Sequence, residues 1–175
     1  KVNMRSRYPK QISFIKEDND ELKVEYKNDV FEDVLKRAGS RPIIFISCLG
    51  RYQQGKTTIN SGISGNLGYV VGNGNKETTK GVYIDGPYDI NYLYQRFNIS
   101  MREYFNGSEL LTPLIYFFDI EGYDGIMHGD DLERNNKAFI EMCTPFLCLS
   151  SIFILLSEPN ANVQEINNFI DRVKV

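Results

Sequence analysis

Apolar residues crowd three stretches of this chain at nearly every position: PIIFISCL at 42–49, PLIYFF at 113–118 and SSIFILL at 150–156. Runs of that length without alternation suit strands covered by helices on both faces, the situation of a parallel sheet. Alternation marks KQISFIKEDNDELKVEY at 10–26 instead, where two short runs flank Asp18-Asn19-Asp20 and predict a hairpin. In NDVFEDVLKRAGS, Val30, Val34, Leu35 and Ala38 recur at helical spacing, with Asn28 or Asp29 placed to cap the start and Gly39 placed to stop it. A second helix is expected at 135–143, ended by Pro145 because the residue before a proline resists helical geometry. A third is expected at 162–173. Segment 85–112 differs: Ile90, Leu93, Tyr94, Phe97, Met101, Tyr104 and Phe105 fall on one helical stripe, which reads as an amphipathic helix inserted between strands. Strands alternating with helices predict an α/β domain whose sheet is mostly parallel and flanked by helices.

The 175 residues suit one domain, and 42% hydrophobic with 25% charged residues is the make-up of an ordinary globular protein. A net charge of -3, with lysines and arginines dispersed, excludes the electrostatic footprint of a nucleic-acid binder. The longest apolar stretch, 145–156, is broken by Ser150 and Ser151 and falls short of the roughly 18 residues of a membrane span. Any membrane attachment is therefore expected from regions absent from this chain, and the expected location is cytoplasmic. The three cysteines lack metal-site spacing and read as reduced, buried thiols. The chain opens on Lys1, which suggests a piece of a longer polypeptide. His128, the sole histidine, lies among Gly125, Gly129, Asp130 and Asp131 and reads as a loop residue without a catalytic role.

Chemistry enters at CLGRYQQGKTTIN, residues 48–60, where Gly50 and Gly55-Lys56-Thr57 match the phosphate-loop pattern between a buried strand and a helix start. In that context backbone N–H groups from Gly50, Arg51, Tyr52, Gln53, Gln54, Gly55, Lys56, Thr57 and Thr58 surround phosphate oxygens. Lys56 reaches the terminal phosphates and Thr57 offers an oxygen to Mg2+. A partner carboxylate is expected at the end of a neighbouring buried strand, and LIYFFDIEG supplies it: Asp119 for the metal and Gly122 for a backbone contact to the γ-phosphate.

With the phosphate loop and DIEG in hand, NKETTKGVYI resembles the Thr-Lys-Gly switch element of guanylate-binding proteins and atlastins, large GTPases of the dynamin superfamily. Segments 12–50 and 128–173 are similar to the same family, so the resemblance covers nearly the whole chain apart from 85–112. It implies a P-loop G domain that binds GTP or GDP with Mg2+, hydrolyses GTP, and pairs with a second copy through the G domain in a nucleotide-dependent way. It also implies that Lys56 and the switch residue Thr79 serve catalysis, and that Thr79 joins Thr57 and Asp119 at the metal.

Three departures bear on activity. Where the family carries an arginine that acts as an internal finger, this chain has Gln53, with Arg51 two positions earlier as the candidate replacement. Tyr123 follows Gly122, so no glutamine stands there to orient water. The sequence ends before the strand that would carry the family's Arg-Asp base-reading motif. Slow GTP hydrolysis is therefore expected. Two other readings stay open, a pseudo-GTPase that holds nucleotide or a partner without efficient turnover, and an ATP-using P-loop protein.

Overall fold

The computed structural model describes residues 8–19, 21–50, 54–69, 81–98, 112–120 and 132–156, with the side chains of 132–136 excepted. Within them the chain is α/β, with a mixed six-stranded sheet and four helices. β1 (Lys10–Asp18) and β2 (Glu21–Tyr26) form the expected hairpin, with Asn19 taking a positive φ of 51° at the tip. α1 (Asn28–Ala38) follows, then β3 (Ile43–Leu49), α2 (Lys56–Ser64), β4 (Val82–Asp89), α3 (Ile90–Arg96), β5 (Leu114–Ile120), α4 (Leu132–Leu149) and β6 (Ile152–Leu155). The spatial order is β2-β1-β4-β5-β3-β6.

Helices α1 and α4 pack on one face, where Phe45, Tyr116, Phe118 and Ile120 join Val30, Val34, Met142 and Phe146. Ring contacts tie this side together: Phe45 stacks on Phe118 at 4.9 Å, and Phe118 meets the edge of Phe146 at 5.2 Å. On the other face Ile46, Ile115 and Phe117 pack with Leu93 of α3 and Ile63 of α2. Neighbours in sequence, such as Tyr116 and Phe117, thus serve opposite faces, and every residue of β5 is buried. Each large apolar side chain so buried contributes roughly 1.5–3 kcal/mol.

The sheet is not mostly parallel. Only β3 with β5 and β3 with β6 run parallel, whereas β1 with β2, β1 with β4, and β4 with β5 run antiparallel. Two-sided burial follows from having helices on both faces and is indifferent to strand direction. β5 shows this, lying between a parallel and an antiparallel neighbour.

Two helix boundaries also differ from expectation. The stripe beginning at 85 is strand as far as Asp89, because Val82–Asp89 fills the place between β1 and β5, with a register shift near Gly86 and Pro87. Helix α3 covers only Ile90–Arg96. It is capped by Asp89, whose carboxylate accepts from the Asn91 N–H at 2.9 Å and pairs with Arg41 at 2.7 Å. Residues 99–111, with Met101, Tyr104 and Phe105, lie outside the described residues, as does the helix expected at 162–173.

Helix α4 runs through Pro145 rather than stopping before it. The missing proline N–H strips the Glu141 carbonyl of its helical donor, and the Tyr26 hydroxyl of β2 donates to that carbonyl at 2.8 Å. A tertiary hydrogen bond thus replaces the one the helix loses. At α1 the cap position is Lys27, one residue before the expected start, and no side chain caps it. Among the described residues no helix is long and apolar enough to cross a membrane.

Candidate functional site

The chain leaves β3 at Gly50, where an added Cβ would stand 2.8 Å from the Leu156 carbonyl oxygen. It enters α2 through Gly55, whose φ of 81° is the left-handed conformation that glycine adopts without cost. Lys56 and Thr57 then occupy the first turn of α2.

The face that α2 turns inward is polar. Lys56, Asn60 and Ser64 are its buried residues, four apart and so one above another. The Thr57 hydroxyl donates to Asp119 Oδ2 at 2.8 Å. Asn60 Nδ2 lies 3.2 Å from Asp119 Oδ1 and 3.3 Å from the Phe118 carbonyl. Asp119 is 3% exposed at the end of β5, level with Cys48 on β3. Burial pushes the Cys48 thiol up to about 12, the Asp119 charge adds to this, and the nearby Lys56 ammonium opposes it. Cys48 is thus an inert neighbour of the site and no nucleophile. It and Cys143 are buried, while Cys148 is exposed, against the expectation for all three.

Of the residues singled out in sequence, Gly50, Gly55, Lys56, Thr57 and Asp119 come together around this loop, with Gln54 half-buried just before Gly55. Thr58 is exposed and takes no part in the buried cluster. Arg51, Tyr52, Gln53, Thr79 and Gly122 lie outside the described residues, as do Tyr123 and His128. Asn60 was missed. Its signal was a helix whose i, i+4, i+8 row reads Lys-Asn-Ser where a packed helix would carry apolar residues.

A second polar cluster, also unforeseen, lies past the other end of α2. Asp85 of β4 is 5% exposed; its carboxylate accepts from Asn66 Nδ2 at 2.9 Å and from the Tyr88 hydroxyl at 2.8 Å. Burial raises its carboxyl above the ordinary range, and the hydrogen bonds only partly offset this. The Tyr69 hydroxyl is buried beside it; burial first, and then the Asp85 charge, push Tyr69 upward.

A scan against protein-family models finds no match for this chain, and a search of curated proteins finds none either.

Proposed function

We propose that this domain binds a nucleoside triphosphate with Mg2+ at the junction of β3 and α2, and that the nucleotide is GTP. The observation that carries the reading is the 2.8 Å hydrogen bond from Thr57 to Asp119, which draws a hydroxyl and a carboxylate from distant parts of the chain to the mouth of a glycine-bounded loop. The donor set fits a hard divalent cation, since both groups present oxygen, and a hydroxyl that donates to a carboxylate becomes a better acceptor or ligand itself. Mg2+ bound there would neutralise charge on the β- and γ-phosphates.

The chain's own residues do the rest. The first-turn N–H groups of α2 hold phosphate oxygens, and Lys56 places its ammonium on the terminal phosphates. Asn60 anchors Asp119 from behind. The choice of GTP, the roles of Thr79 and Gly122, and nucleotide-dependent pairing of two domains come from the resemblance to guanylate-binding proteins and atlastins. Attack of water on the γ-phosphate is slow in this reading because Gln53 brings no positive charge to the transition state. Such a charge is worth roughly 10³ to 10⁵ in rate.

Gln53 also sustains the second reading, a module that binds nucleotide or a partner with little turnover. Titration with GTP, GDP and ATP, followed by phosphate release from Gln53→Arg and Arg51→Ala, separates the two. Gln53→Arg is expected to raise turnover with little change in GTP affinity. Loss of turnover in Arg51→Ala would instead place the finger at Arg51. Absence of GTP and ATP binding by the folded protein would end the first reading and leave only partner binding of the second.

A further inference from the structure

Asn60 is the middle residue of the buried Lys56-Asn60-Ser64 row of α2 and has no solvent exposure. Its Nδ2 reaches two acceptors at the end of β5, the Asp119 Oδ1 at 3.2 Å and the Phe118 carbonyl at 3.3 Å. Because both partners accept, the amide has one orientation: turned over, it would set its own oxygen against two others. In that orientation Asn60 Oδ1 is buried with no hydrogen-bond partner among the described residues. An orphaned buried acceptor costs on the order of 1–3 kcal/mol, which a leucine in the same row would avoid. The reason for an amide here therefore lies on its donor side.

That side divides the Asp119 carboxylate. Oδ1 accepts from Asn60, and Oδ2 accepts from the Thr57 hydroxyl at 2.8 Å. Thr57 is half-buried where Asn60 is enclosed, so a cation reaches the pair from the Thr57 side and meets Oδ2 first. Hard divalent cations use a carboxylate in different ways. Ca2+ gathers roughly six to eight oxygens at about 2.3–2.6 Å and accepts both oxygens of one carboxylate. Mg2+ demands a near-ideal octahedron at about 2.0–2.1 Å and keeps several waters in it.

On the nucleotide reading above, we propose that Asn60 sets the cation preference of the site: by engaging Oδ1 it makes Asp119 a one-oxygen ligand, which suits Mg2+ and handicaps Ca2+. Asn60 touches neither cation nor nucleotide. It is a positioning residue that acts through Asp119, and hydrogen-bond partners of a metal ligand carry about 10- to 100-fold in metal affinity.

The test is a fluorescence titration of the 175-residue chain with a methylanthraniloyl GTP analogue that resists hydrolysis, in Mg2+, in Ca2+ and in EDTA. The native protein is expected to bind at least about tenfold more tightly in Mg2+ than in Ca2+. Asn60→Leu should weaken binding about tenfold in Mg2+ and about twofold in Ca2+, with no change in EDTA, so the preference narrows about fivefold. Asn60→Ser, too short to reach Oδ1 and polar like its row neighbour Ser64, is the decisive variant if Asn60→Leu proves unstable. An unaltered preference in a folded variant, an equal loss in all three conditions, or a native protein that binds as tightly in Ca2+ as in Mg2+ would each overturn the proposal. A native protein that binds the analogue in none of the three conditions would end the nucleotide reading itself, and this proposal with it.

Discussion

Helix α2 meets one buried aspartate at its first turn and another just past its last. Asp119 and Asp85 are similarly buried, at 3% and 5% exposure, and both project from central strands toward the same helix. Their surroundings differ. Asp119 stands where the loop from β3 opens, with a hydroxyl, an amide and the nearby Lys56 ammonium around it. Asp85 is enclosed by neutral donors from Asn66 and Tyr88, with no cation among the groups that act on it, and its carboxyl is pushed upward by burial. A buried carboxylate beside a cation at a loop mouth is equipped to exchange partners with a charged ligand. One sealed among neutral donors holds structure: it joins the turn after α2 to β4 and resists ionising. Residue type and depth alone do not separate the two.

The contrast is broken most severely at Asp85. Replacing it with alanine strands two buried donors, Asn66 and Tyr88, so Asp85→Ala should lower unfolding stability by about 3 kcal/mol, measurable by urea denaturation. Nucleotide affinity of the remaining folded protein should hold. A comparable loss of affinity would show that the two ends of α2 are one functional unit.

Lys56→Ala should act at the other end of α2. Triphosphate affinity of the folded protein is expected to fall by at least tenfold, about 1.4 kcal/mol, in addition to the stability lost when a buried ammonium near Asp119 is removed. Unchanged affinity by calorimetry, in a folded variant, would remove Lys56 from the phosphate site.

The smallest effect sharpens the comparison through pH. Below the ordinary carboxyl value of 3.8, Asp85 is protonated in folded and unfolded chains alike and costs nothing. As pH rises from there toward its elevated folded value, the unfolded chain ionises first and holds fewer protons, so stability declines. Above the folded value the cost is complete and flat. Denaturation midpoints across that window should decline with pH in the native protein and lose that component in Asp85→Asn; an identical slope in both would refute the assignment.

Much of this was legible in one dimension. The apolar runs containing Phe45 and Phe117 mark strands because burial on both faces demands apolar side chains at consecutive positions. The run containing Ile154 forms β6 with Ile152, Phe153 and Leu155 exposed among the described residues, against the expectation of cover on both faces. The glycine-bounded loop and Asp119 were visible because a turn needing positive φ and a carboxylate closing an apolar run are local signals. β4 escaped notice, since residues 85–89 fall within the segment whose apolar spacing predicts an amphipathic helix, and only strands on both sides hold them extended. Helix α4 escaped its boundary because the repair at Pro145 comes from Tyr26, well over a hundred residues away in sequence.

By itself the sequence determined the element types in its apolar runs and the loop where Gly55, Lys56 and Thr57 meet the start of a helix, since these depend on residues within a few positions of one another. Strand direction, the place of β4 between β1 and β5, the pairing of Thr57 with Asp119 and the sealing of Asp85 were decided only in three dimensions. Each depends on a partner far along the chain, and a polar residue buried against such a partner carries the same letter as one left in water.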